Sequence, residues 1–166
     1  MFDPAMTVHG GNMNGHTASL TLLVALLCCP AIASAQDAAP GHCPQLPPGS
    51  GLSWDSRNMG DSDFCRAVDA NGVEAFGMFI SPDPAFKPRG RNRAETSTIN
   101  GVDVRWYRAQ IATNPGVEAR ETLLELVDGR HAHIWLQAPS ATELANGYGT
   151  IGQLRFGPDL QIAGTD

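Results

Sequence analysis

His131 and His133 stand two residues apart in the stretch RHAHIWLQA. In an extended strand both imidazoles project from one face and can share a metal ion, with Trp135 beside them. A stable zinc centre takes at least a third protein ligand, and the nearest histidine in sequence is His42. Reading Asp128-Gly129 as a two-residue turn places Leu126 opposite His131 and Leu124 opposite His133, neither of them a ligand. Glu121 and Glu125 then point from the other face of their strand. The pair is therefore expected to be two hydrogen-bonded or solvent-facing imidazoles on a half-buried strand. A small metal-dependent or hydrolytic enzyme using His131 and His133 is the alternative.

Two further groups have contact chemistry. Lys87, Arg89, Arg91 and Arg93 put four positive charges within seven residues, and clustered guanidinium groups grip carboxylates, phosphates or an acidic protein surface. Pro88 and Gly90 interrupt the run, which rules against a basic helix. Trp106-Tyr107-Arg108 forms the other group. Neighbours on a strand face opposite ways, so one aromatic belongs to the core and the other lies exposed beside Arg105, a composition typical of protein or sugar contacts.

Sequence signatures of catalysis are missing. The chain has no Gly-x-Ser-x-Gly elbow, no His-Glu-x-x-His, no phosphate-binding glycine loop and no calcium-loop spacing. Glu121 and Glu125, four residues apart on a strand, would sit ~13 Å apart, too far for a glycosidase pair. No cofactor is expected, and the balance is against an enzyme.

Where the molecule works follows from residues 18–35, ASLTLLVALLCCPAIASA. This apolar run of export-signal length closes on Ala33-Ser34-Ala35, small residues that suit a signal peptidase. Residues 1–35 read as a secretory signal, with Gln36 as the new N-terminus. Met1, Met6 and Met13 all precede the apolar run, and initiation at Met13 gives the more ordinary leader. No Lys or Arg precedes it, a departure from the usual pattern. The run falls short of the ~20 residues a membrane span needs and contains Pro30. Cleavage leaves 131 residues with eleven basic and sixteen acidic side chains, a net charge of −5. Mild acidity excludes a dedicated nucleic-acid binder. Of four cysteines two remain, Cys43 and Cys65, too far apart for a redox motif and expected to form a structural disulfide.

Gln36 to Gly51 is rich in Pro and Gly and reads as an extended lead-in tied down by Cys43. From there the chain alternates strand and turn. Phe64–Ile80 is a hairpin around Asn71-Gly72, read as a type I′ turn, with Cys65 opposite Met78 and Ala67 opposite Phe76. Residues 81–95 read as one long irregular loop. Asn100-Gly101 joins residues 96–99 to 102–111, residues 112–116 connect two neighbouring strands, and Asp128-Gly129 joins 120–127 to 130–138. No segment is long enough for a crossover helix, which implies antiparallel pairing. Ser140-Ala141-Thr142-Glu143 is a capping box, followed by Leu144, Tyr148 and Ile151 at helical spacing. Gly147, Gly149 and Gly152 weaken that helix. Residues 158–166 are expected to be loose.

The fold class expected is α+β: an antiparallel sheet of about six strands in a hairpin meander, residues 52–157, with one C-terminal helix on a face. The functional expectation is a periplasmic or secreted binding module of a bacterial-type envelope, such as an inhibitor, immunity-type protein or assembly accessory. Its partner would be another envelope protein or an anionic ligand. Neither nucleic acid nor a membrane span in the processed chain is expected, and the sequence does not specify an oligomeric state.

Overall fold

The computed structural model describes residues 43–109 and 116–164. The leader, His42 and most of the connection at 112–116 lie outside the described residues. The strands are β1 (Ser53–Asn58), β2 (Asp63–Val68), β3 (Glu74–Ser81), β4 (Arg93–Ile99), β5 (Val102–Arg108), β6 (Glu118–Glu125) and β7 (His131–Ala138), followed by helix α1 (Ala141–Gly152). They form one antiparallel sheet in the order β1-β2-β3-β7-β6-β5-β4. Among the described residues there are seven strands against the expected six or so, with β1 at the edge beside β2.

The meander is broken once. After β3 the chain leaves for the far edge, returns through β4, β5 and β6, and inserts β7 beside β3. Residues 81–95 are less irregular than their Pro and Gly content suggested. Ser81 completes β3, Gly90–Asn92 forms a 3-10 turn, and Arg93 begins β4. At the other end of the hairpin that follows, Asn100 and Gly101 have φ of 50° and 82°, the double left-handed conformation of a type I′ turn.

Alternation decides which face is buried. Cys65 and Ala67 of β2, Phe76, Met78 and Ile80 of β3, Val104 and Trp106 of β5, and Ala132, Ile134 and Leu136 of β7 all turn one way into the core. Helix α1 covers that face with Leu144 and Ile151. Ser140 caps it: the Glu143 amide donates to Ser140 Oγ at 3.2 Å, and Ser140 Oγ donates to Glu143 Oε2 at 3.0 Å. The helical glycines allow close docking. A Cβ at Gly147 would lie 2.5 Å from Leu136 Cδ1, and one at Gly152 would lie 2.9 Å from the Thr98 carbonyl oxygen.

Both ends of the domain are tied to the core. Cys43 and Cys65 are disulfide-bonded, the Trp54 indole N–H donates to the Pro44 carbonyl at 2.7 Å, and Gln45 pairs with Arg155. The segment after Pro158 is packed rather than loose over residues 158–164. Leu160 and Ile162 are buried, Val127 N–H donates to Gln161 O, and Ala163 N–H donates to Glu125 O. Its alternating Leu-Gln-Ile supplies two apolar side chains that cover the end of the core.

Candidate functional site

The face of the sheet opposite α1, uncovered by any other strand or α-helix among the described residues, carries the residues with chemical potential, and turn geometry decides which of them meet. In β6–β7 the pairing is Glu125 with His131, Leu123 with His133 and Glu121 with Trp135. This is one residue away from the register expected for a two-residue Asp-Gly turn. The hairpin instead closes on Leu126 and Arg130, with Gly129 N–H donating to Leu126 O at 3.0 Å and Leu126 N–H to Arg130 O at 2.8 Å. Asp128 accepts from the Arg130 amide at 2.9 Å through Oδ1 and from Arg130 Nε at 2.7 Å through Oδ2. Only Gly129, at φ 84°, is left-handed. The loop is thus three residues long, a type I turn with a glycine bulge.

The first hairpin uses the same device without changing the register. Gly72 N–H donates to Asp69 O, and Asp69 N–H donates to Val73 O. Asn71 does not adopt a positive φ, so the turn is not type I′. A bulge between Ala67 and Val68 restores the offset, and Cys65 faces Met78 as expected. Backbone hydrogen bonds from Val73 and Asn71 to the Asp69 carboxylate hold its pKa below the usual value.

The shifted register brings Glu121 and Glu125 onto the histidine face. His133 Nε2 lies 3.1 Å from Glu121 Oε2, and each side chain is 16 % exposed. Burial depresses the His133 pKa to about 4 and raises that of Glu121. At neutral pH the imidazole is neutral, and the tautomer with a proton on Nε2 donates to the carboxylate. His131 Nδ1 is 3.2 Å from the Pro82 carbonyl oxygen and donates to it. Both histidines are therefore hydrogen-bonded. No group of three or more His, Cys, Asp or Glu side chains suited to a metal occurs among the described residues.

Around His133 the face is aromatic. Ring centroids run from Phe64 to Trp135 (5.8 Å), Trp135 to His133 (5.3 Å), His133 to Phe86 (5.0 Å) and Phe86 to Tyr107 (6.0 Å). All five are half-buried, as are Phe79 and Leu123 beside them. Phe86 arrives from the connection between β3 and β4. Trp135 lies directly over Gly77 of the neighbouring strand, where a methyl group would overlap the indole. Its Nε1–H donates to Glu74 Oε1 at 3.0 Å. Arg66 stands between Glu74 and Asp55, 3.2 and 3.5 Å away, so a polar chain from β1 to β7 braces the indole.

The other expected site residues divide between two environments. Trp106 is fully buried and donates to Ser97 Oγ at 2.8 Å, so it belongs to the core and leaves the surface to Tyr107. Tyr107 pairs with Arg93 on one side and Glu121 on the other, and Lys87, Arg89, Arg91 and Arg93 are all exposed. The basic run and the histidine strand, remote in sequence, thus flank the same aromatic row.

Phe64, Phe79, Phe86, Leu123 and Glu121 were missed as site residues. For Phe64, Phe79, Leu123 and Glu121 the signal was the alternation itself, whereas Phe86 lies in a connection and had none. Leu124 and Leu126 match Ala132 and Ile134 in the apolar pattern, which places Glu121 and Leu123 with the histidines.

Among the described residues no helix is long and apolar enough to cross a membrane. No protein-family model, no curated protein and no solved structure matches the chain, so function is read from the geometry of this face.

Proposed function

We propose that this chain is an exported, non-enzymatic binding domain of a bacterial-type cell envelope and that it grips its partner with the uncovered sheet face. One observation carries the reading: five rings in unbroken contact lie half-exposed on a rigid sheet, while the helix and the C-terminal segment serve the opposite side. Hydrogen bonds hold Trp135 and His133 in position before any ligand arrives, which lowers the ordering cost of binding. Trp, Tyr and Arg are the side chains from which strong contact centres are made. The disulfide fits an oxidising compartment, and the apolar leader supports export.

The test is affinity capture from the native envelope with the processed domain and three variants. A partner should be held by the wild type and by Ala145→Arg, on the outside of the helix, and lost with Leu123→Arg or Trp135→Ala. A partner indifferent to both changes on the face, or no partner at all, would count against this reading.

A hydrolytic role is favoured by the His133–Glu121 contact alone. A depressed imidazole pKa makes His133 a weak base, and a base is most effective when its pKa lies near the working pH. Metal analysis of untagged protein purified without chelator separates the two readings. A stoichiometric metal that disappears in His131→Ala and His133→Ala would favour the enzyme.

A further inference from the structure

Charge on the uncovered face is lopsided. Its β4–β5 corner carries Arg93 and Arg105, with Lys87, Arg89 and Arg91 in the connection before β4. All five are exposed, and none forms an ion pair among the described residues. Arg108 donates to the Arg93 carbonyl at 3.1 Å, which ties the end of β5 to the start of β4.

Nearby acids on the strands are engaged elsewhere. Glu95 and Glu118 hold the buried Arg120 guanidinium at 2.8 and 2.6 Å, and Glu121 accepts from His133. Asp103 lies at the far end of the hairpin, opposite Thr98, and Asp83 sits in the connection. In a chain of net charge −6 this corner is a local reversal of sign.

We infer that the partner is a protein presenting an acidic segment to the Arg93–Tyr107 corner, with its apolar contacts along the aromatic row. This deepens the binding-domain reading and rests on it. Size supports a protein. Seven strands spaced by ~4.8 Å, each six to eight residues long at ~3.3 Å per residue, give a face of about 700 Å², close to the ~800 Å² per partner of an ordinary protein interface. Ring geometry argues against a polysaccharide. Adjacent rings are tilted by 33°, 46°, 51° and 68° and offer no continuous platform for stacked sugars. Strand addition at the β4 edge is also disfavoured, because a bulge between Arg93 and Thr96 interrupts the ladder. Side chains on the face make the contact.

A fluorescent peptide alternating Glu and Leu is the probe, titrated into the processed, disulfide-bonded domain. Binding should weaken at least ~tenfold in Arg91→Glu/Arg93→Glu and in Lys87→Glu/Arg89→Glu, and more mildly in each of the four single reversals, but stay unchanged in Arg155→Glu, a single reversal away from the corner. Thermal melts establish that each variant is folded. No binding, equal loss in Arg155→Glu, or stronger competition by heparin or phosphatidylglycerol vesicles than by unlabelled peptide would overturn the inference. If the peptide fails while Trp135→Ala still abolishes envelope capture, the face stands as the contact surface and only its acidic partner is wrong. If both fail, the binding-domain reading falls too.

Discussion

Trp135 keeps its place because Gly77 has no side chain, and the indole occupies the space a Cβ would need. Gly77→Ala is expected to lift the ring off β3, break the bond to Glu74 and destabilise the fold by about 1–3 kcal/mol. Tryptophan fluorescence and urea unfolding of the variant would record both effects. His133 gives a pH signature. With a folded-state pKa of about 4 against an ordinary 6.5, it takes up its proton later than in the unfolded chain. Acidification from pH 6.5 to 4 therefore favours unfolding. Glu121 acts in the opposite sense: above 4.5 the folded state keeps the proton longer, so its contribution to stability falls as pH rises through that window. In urea melts across this pH range, His133→Gln should remove an acid-side loss on the order of 2 kcal/mol. An unchanged pH slope would place the loss on other groups.

At the scale of elements, the three helical glycines are not equivalent. Gly149 faces open space at an ordinary φ, so Gly149→Ala should stabilise α1 by up to ~1 kcal/mol. Gly152 meets the Thr98 carbonyl oxygen, which is backbone and cannot swing aside, and Gly152→Ala should lower the melting temperature. The opposite signs of these two changes would show that close docking of α1 on β4, beyond helix propensity, determines where glycine is needed. The turns teach a parallel lesson. Asn100-Gly101 behaves as a two-residue turn, whereas Asp128 does not take a positive φ and its carboxylate accepts from the Arg130 amide and guanidinium. Asp128→Ala should loosen the β6–β7 turn by about 0.5–1.5 kcal/mol, as hydrogen exchange of Leu126 and Arg130 amides would reveal.

For the whole molecule, the cross-link and the apolar alternation do most of the work. Cys43–Cys65 closes a separation of 22 residues and anchors the lead-in on β2. Reduction, or Cys43→Ala with Cys65→Ala, is expected to cost ~3 kcal/mol and to show in a denaturant melt. The antiparallel α+β class, the cysteine pair, the capped helix and the histidines' common face were legible in the residues, because each depends on local spacing: period two, period 3.6, or the number of loose cysteines. Local spacing could not order the strands, since nothing in β7 announces that it inserts beside β3. Nor could it assemble the candidate site. A single residue added to a turn moves every partner across a strand pair, and the energy that selects the turn lies in the match of apolar faces. Only the packed sheet therefore decided that Glu121 meets His133, that Phe86 covers it, and that the basic corner and the aromatic row lie on one surface.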